Sequence, residues 1–162
     1  MADQKKYQVN FADGYVLTNK RTKEFIISFL NNFLPNRHEY TDSYEIPQFS
    51  DNPAIIFKSA NELIDYLEQN KNEIHAIYWY NEEESKLRGV MCLFTSDGHI
   101  IPGFVCETLY PDTSVESTYL KDLMNFCNST KGLIEYQTPA ARDTEEFLQR
   151  IEAQNHNTRF KI

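Results

Sequence analysis

The sequence predicts an α+β fold: one domain with a mostly antiparallel sheet centred on residues 75–108 and four amphipathic helices packed against it. Three observations carry this. Residues 75–108 hold runs rich in aromatic and β-branched side chains, separated by turn residues. Four other segments repeat apolar residues at helical spacing. The chain has 162 residues, 41% apolar and 14% aromatic, which suits one compact unit with a packed interior rather than a disordered chain.

The elements follow in order. Tyr7, Val9 and Phe11 alternate with polar residues, Asp13-Gly14 offers a turn, and Tyr15-Val16-Leu17 resumes the strand. A helix opens near Thr18–Thr22 and carries Phe25, Ile26, Phe29, Leu30, Phe33 and Leu34 on one stripe until Pro35 stops it. Residues 36–52 read as a polar surface connection with one short edge strand around Tyr44–Ile46. A strand-length apolar run follows at Pro53–Phe57. Ser59-Ala60-Asn61-Glu62 then forms a capping box for a helix that buries Leu63, Ile64 and Leu67.

His75–Asn81, Leu87–Thr95 and His99–Thr108 are strands, and Ser96-Asp97-Gly98-His99 is the strongest hairpin signal. A two-residue Asp97-Gly98 loop makes opposed residue numbers sum to 195, so that Phe94 faces Ile101, Met91 faces Phe104 and Arg88 faces Glu107. Pro102 lacks a ladder donor, which predicts an edge strand or a bulge there. Thr113-Ser114-Val115-Glu116 reads as a second capping box, ahead of a helix with Tyr119, Leu120, Leu123, Met124 and Cys127 on one face. A strand at Leu133–Gln137 and a last helix, capped at Asp143 and running through Phe147, Leu148 and Ile151, complete the chain. A polar tail that frays is expected from residue 155. Residues 7–70 and 89–154 share a plan of Asp-Gly turn, helix, strand and capped helix, suggesting two similar halves.

Charge and motifs narrow the function. With 24 acidic against 16 basic residues the net charge is −8, which argues against a nucleic-acid partner and permits a basic protein partner. Neither a membrane span nor a signal-peptide core is apparent in the sequence. Three widely spaced cysteines suit a reduced, cytoplasmic setting. In the 195 register Cys92 and Cys106 fall on opposite sheet faces, and Cys127 on an apolar helix face, so all three read as buried structural thiols. His38, His75, His99 and His156 form no metal-ligand spacing, and no cofactor or metal is predicted. The five glycines build no phosphate-binding loop, and no nucleophile elbow occurs. The residues therefore lean away from catalysis.

What remains is aromatic and acidic. Tyr78-Trp79-Tyr80 precedes Glu82-Glu83-Glu84, and Tyr40 and Tyr44 lie among further acidic residues. Tyr and Trp anchor interfaces because they bury much area with few rotors to freeze, and a carboxylate rim attracts basic surfaces. Tyr40, Tyr44, Tyr78, Tyr80, Glu82, Glu83 and Glu84 are thus the candidate partner-binding residues. Gly14-Tyr15 before the Phe-rich helix, the Leu34-Pro35 stop, Tyr78-Trp79-Tyr80 and Leu93-Phe94-Thr95-Ser96-Asp97-Gly98 together resemble small bacterial immunity proteins of polymorphic-toxin systems. The resemblance implies a compact acidic α+β protein that inactivates a toxin by binding it, and it carries no individual binding residue across. Two other readings are open: a small-ligand site or active site between the sheet and helix 22–34, lined by Phe25 and Phe29 with His99 or Tyr78, and a structural homo-oligomer pairing at Pro102 or Tyr44–Ile46.

Overall fold

The computed structural model describes residues 10–160, so the expected strand residues Tyr7 and Val9 lie outside it. The described elements are β1 (Asn10–Val16), α1 (Lys23–Phe33), β2 (Arg37–Glu39), β3 (Tyr44–Ile46), β4 (Ile55–Phe57), α2 (Ala60–Gln69), β5 (His75–Asn81), β6 (Leu87–Phe94), β7 (Ile100–Thr108), α3 (Ser114–Cys127), β8 (Gly132–Glu135) and α4 (Thr144–Phe160). Six strands form one antiparallel sheet in the order β2-β5-β6-β7-β1-β8, and β3 and β4 pair separately. The α+β architecture is therefore as the sequence predicts.

Strand alternation splits the sheet into two differently covered faces. Ala12, Val16, Ile77, Trp79, Val90, Cys92, Phe94, Phe104 and Cys106 point to the main core, which α1, α2 and α3 close with Phe29, Leu63 and Leu123. The other face carries a smaller cluster in which Phe147 of α4 packs over Tyr15, Leu17, Leu93, Ile101 and Leu133. α4 spans only that part of the sheet, so the stretch nearest β2 and β5 stays open.

Local chemistry sets the helix starts. The Thr22 hydroxyl accepts from Phe25 N–H at 3.1 Å, and the Ser59 hydroxyl accepts from Glu62 N–H at 3.2 Å. Asp143 does the same for Glu146 N–H at 2.8 Å, and α4 continues to Phe160, past the residue at which the polar tail begins. The α3 box does not form. Thr113 makes no side-chain cap, and Glu116 is instead fully buried, accepting from the hydroxyls of Thr108 and Tyr136 at 2.6 Å each. Tyr136 supplies a long-range donor, and this tertiary contact overrides the local motif.

Asp13-Gly14 does not turn the chain: β1 runs straight through it, and the ring of Phe104 occupies the space that a Cβ at residue 14 would need. Of the plan that residues 7–70 and 89–154 share, the Asp-Gly turn occurs at Asp97-Gly98 alone. That hairpin uses a three-residue loop with Gly98 at φ +86°, so opposed numbers sum to 194, as in Phe94↔Ile100 and Val90↔Phe104. A bulge between Leu87 and Gly89 leaves Arg88 unpaired in the ladder, and its side chain still reaches Glu107 at 3.4 Å.

The one-residue slip puts Cys92 and Cys106 on the same face, inside the main core. Cys106 lies four residue steps along β7 from Pro102, the partner of Cys92, a span of roughly 13 Å that still precludes a disulfide. All three cysteines are buried and free, and burial pushes Cys106 and Cys127 up to about 12.

Pro102 lies in a central strand, not at an edge. The β1–β7 ladder runs to Tyr15↔Gly103 and resumes at Thr18↔Ile100, so the missing donor falls where the ladder is interrupted. An oligomer pairing at Pro102 therefore has no free edge to use. At the true β5 edge, Gln48 stands in for a neighbouring strand: its Nε2 donates to Ala76 C=O at 3.2 Å and its Oε1 accepts from Ala76 N–H at 2.9 Å.

Candidate functional site

The open part of the sheet is built by two cross-strand rows. Pairing runs His38–Tyr80–Gly89–Val105–Asp13–Glu135 in one row and Tyr78–Met91–Gly103–Tyr15–Leu133 in the next. Tyr40 joins the second row through its N–H, which donates to Tyr78 C=O at 3.0 Å. Gly89 adds no side chain between Tyr80 and Val105, whereas the space over Gly103 is filled by Tyr15 and Met91, so the depression lies between the β5 tyrosines and Val105. A cleft of about 370 Å³ lies there, lined by Tyr40, Tyr78, Tyr80, Arg88, Met91 and Val105 among others.

The tyrosines form one continuous surface. Tyr40 is 62% exposed, Tyr78 40% and Tyr80 45%. The Tyr40 ring sits edge-on to Tyr80 at 5.4 Å and to Tyr78 at 6.3 Å, and His38 packs on Tyr80 at 5.4 Å. Trp79 and Ile77 turn the other way into the core. Tyr44 does not join the cluster. It is buried, and its hydroxyl donates to Glu39 Oε1 at 2.8 Å while Ala60 N–H donates to the same oxygen. Apolar alternation within β3 turns Tyr44 and Ile46 inward, a pattern too short to read before the strand is known.

Glu82, Glu83 and Glu84 are exposed on the β5–β6 loop, directly beside Tyr80. Asn36 anchors this loop, donating from Nδ2 to Glu83 Oε1 at 2.5 Å and accepting at its carbonyl from Glu82 N–H. A second cleft of about 520 Å³ joins Tyr80, Arg88 and Val105 to these three glutamates. The expected aromatic and acidic residues thus come together, except Tyr44.

Asp13 is the residue that sequence reasoning missed, because Asp-Gly in an alternating run reads as a turn. It lies on the open face beside Val105 and opposite Glu135. Its carboxylate has no hydrogen-bond or ion-pair partner among the described residues, whereas Glu135 is held by Arg150 at 3.4 Å. Burial first, and the Glu135 charge second, raise Asp13 to about 6. A carboxyl raised by folding stabilises the protein below its unfolded value of 3.8, and that contribution is lost as pH rises through about 6. Asp13→Asn is therefore expected to stabilise the protein at pH 7 by about 1 kcal/mol, after allowing for solvent screening of a half-exposed group. The gain should vanish near pH 4. Urea melts of both proteins at the two pH values check this, and a destabilised D13N at pH 7 would contradict it.

The rival site between the sheet and α1 is filled. Phe29, Ile26 and Leu30 are fully buried there, and Phe25 and Phe33 pack against Phe126 at 5.5 Å. Tyr78 faces away from this space. His99 sits at the hairpin tip, where its Nδ1 lies 3.2 Å from Asp97. Burial opposes ionisation of Asp97, but hydrogen bonds from Thr95 and Thr144 and the nearby His99 hold it down at about 2. This group ties the hairpin tip to the start of α4. No cluster of three or more metal-ligating residues occurs among the described residues, and no described helix is long and apolar enough to cross a membrane.

Comparison with protein-family models, curated proteins and solved structures finds no match.

Proposed function

We propose that this chain is a binding protein that docks a basic partner protein on the open sheet face, without making or breaking a bond. The observation that carries the reading is the juxtaposition of three exposed, mutually packed tyrosines with Glu82, Glu83 and Glu84 on one side and Asp13 on the other. The rings supply rigid area, and the carboxylates supply attraction over distance. The two arginines nearby are already engaged, Arg88 with Glu107 and Arg150 with Glu135 and Glu146. The face is therefore net acidic. The sharpest form of the reading, which the sequence resemblance suggests, is an immunity-type protein of the bacterial cytoplasm that occludes the basic active-site groove of a toxin.

A photocrosslinking residue at position 40, compared with one at Lys121 of α3 across the sheet, tests this in the source cells. Position 40 should capture one discrete basic protein that position 121 does not. With that protein purified, the Tyr78→Ser/Tyr80→Ser double variant should bind about 100-fold more weakly. Raising salt from about 50 to about 500 mM should slow association roughly tenfold. Equal capture at both positions, or association indifferent to salt, refutes the docking reading.

A further inference from the structure

Within that face, and resting on the docking reading, we infer that the cleft over Gly89 and Val105 receives an arginine side chain of the partner, whose guanidinium pairs with Asp13. The cross-strand row supports this. Tyr80, Gly89, Val105 and Asp13 lie side by side on four adjacent strands, so the row runs from the cleft between the tyrosines and Val105 to a carboxylate one strand beyond it. Tyr78, Tyr80 and Met91 wall the cleft, which suits the methylene stem and planar head of arginine.

Asp13 is the free acid at the end of that path. Glu135, its neighbour on β8, is engaged by Arg150 of α4, and Glu107 on β7 by Arg88. Tyr15 on the same strand and Tyr78 on β5 also face it, and its charge adds to burial in holding both hydroxyls above their ordinary value. No cation of this chain answers Asp13 among the described residues, and burial beside Glu135 makes its ionised form unfavourable at neutral pH. A residue that costs stability in the free protein is one that an incoming cation can reward.

The test uses the isotopically labelled full chain and two capped pentapeptides, Gly-Gly-Arg-Gly-Gly and the same peptide with citrulline, the neutral isostere of arginine. In two-dimensional NMR titrations at about pH 7.5, the arginine peptide should move the amides of Asp13, Tyr78, Gly89 and Val105, and bind at least fivefold more tightly than the citrulline peptide. Asp13→Asn should lose that preference although its melting temperature does not fall. Between about pH 7.5 and pH 5 the arginine affinity of the unaltered protein should drop about tenfold, as Asp13 takes up its proton.

Equal binding of both peptides, an unaltered preference in D13N, or shifts confined to other surfaces would overturn the anchor. So would an absence of shifts with either peptide up to about 10 mM. If both peptides perturb this face equally, the anchor fails and the docking face stands. Docking itself fails only in the crosslinking experiment.

Discussion

Replacing Arg21 with methionine is expected to lower folding stability by about 4 kcal/mol, the largest effect of any single change considered. Arg21 is buried at 2% exposure and uses all five of its N–H donors on backbone carbonyls. Nε donates to Leu67, Nη1 to Thr95 and His99, and Nη2 to Asn70 and Glu73, at 2.7–3.3 Å. The guanidinium also stacks on Phe94 at 5.2 Å. It thereby joins the end of α2, the loop before β5 and the β6–β7 hairpin to the start of α1. The last turn of α2 has no basic residue of its own, and Arg21 supplies the positive charge that the carbonyls at that end favour.

Methionine fills similar volume but leaves five carbonyls without their donor. Arg21→Lys should recover little, because an ammonium has three donors and no planar fork. Chemical denaturation reads the effect directly. A loss below about 1 kcal/mol for R21M would mean that water replaces the guanidinium at no cost.

Glu116→Ala is expected to cost about 3 kcal/mol, and a triple change of Thr108→Val, Glu116→Leu and Tyr136→Phe to cost under about 1 kcal/mol or to stabilise. The single change strands the buried Thr108 hydroxyl and the half-buried Tyr136 hydroxyl, which now donate to one carboxylate oxygen. The triple change removes both donors and their acceptor together, and gives up only the bond that Tyr110 N–H makes to the Thr108 hydroxyl at 3.1 Å. It also removes an oxygen, Glu116 Oε1, that is buried without a partner among the described residues. Burial and the bond to Glu116 raise the Tyr136 hydroxyl, so the triad is held by short-range hydrogen bonding in an apolar setting. Equal destabilisation by single and triple variants would show that packing, not polar satisfaction, sets the cost. Denaturation midpoints with unchanged slopes are the required measurement.

The contrast between Glu116 and Glu62 explains how far the sequence could be read. Both follow a Ser/Thr-x-x-Glu pattern. Only Ser59 caps its helix, because it has the extended backbone that a cap needs (φ −146°, ψ 154°) and Thr113 does not (φ −101°, ψ 14°), while the Glu116 carboxylate is taken by two distant hydroxyls. Helices α1 and α2 and strand β5 were legible because periodicity is a local signal. The hairpin register was not, since Ser96-Asp97-Gly98 suits a loop of two or three residues and that single residue moves Cys106 across the sheet.

Strand β2 was invisible for another reason. Arg37-His38-Glu39 is a polar edge with no apolar alternation, and edges of sheets are commonly built so. In the candidate site, Tyr40, Tyr78, Tyr80 and the three glutamates follow from residue type and proximity in sequence. Tyr44 and Asp13 depend on which way a strand faces, and no composition argument supplies that.

Gln48 has a consequence for how the molecule meets others. Its amide copies a peptide group and occupies both hydrogen-bonding positions of Ala76, where the exposed rim of β5 extends beyond β2. A foreign strand approaching from that side finds its berth taken. Strand addition along that stretch of β5 is blocked by one side chain, which leaves the broad tyrosine surface beside it as the place where a companion can settle.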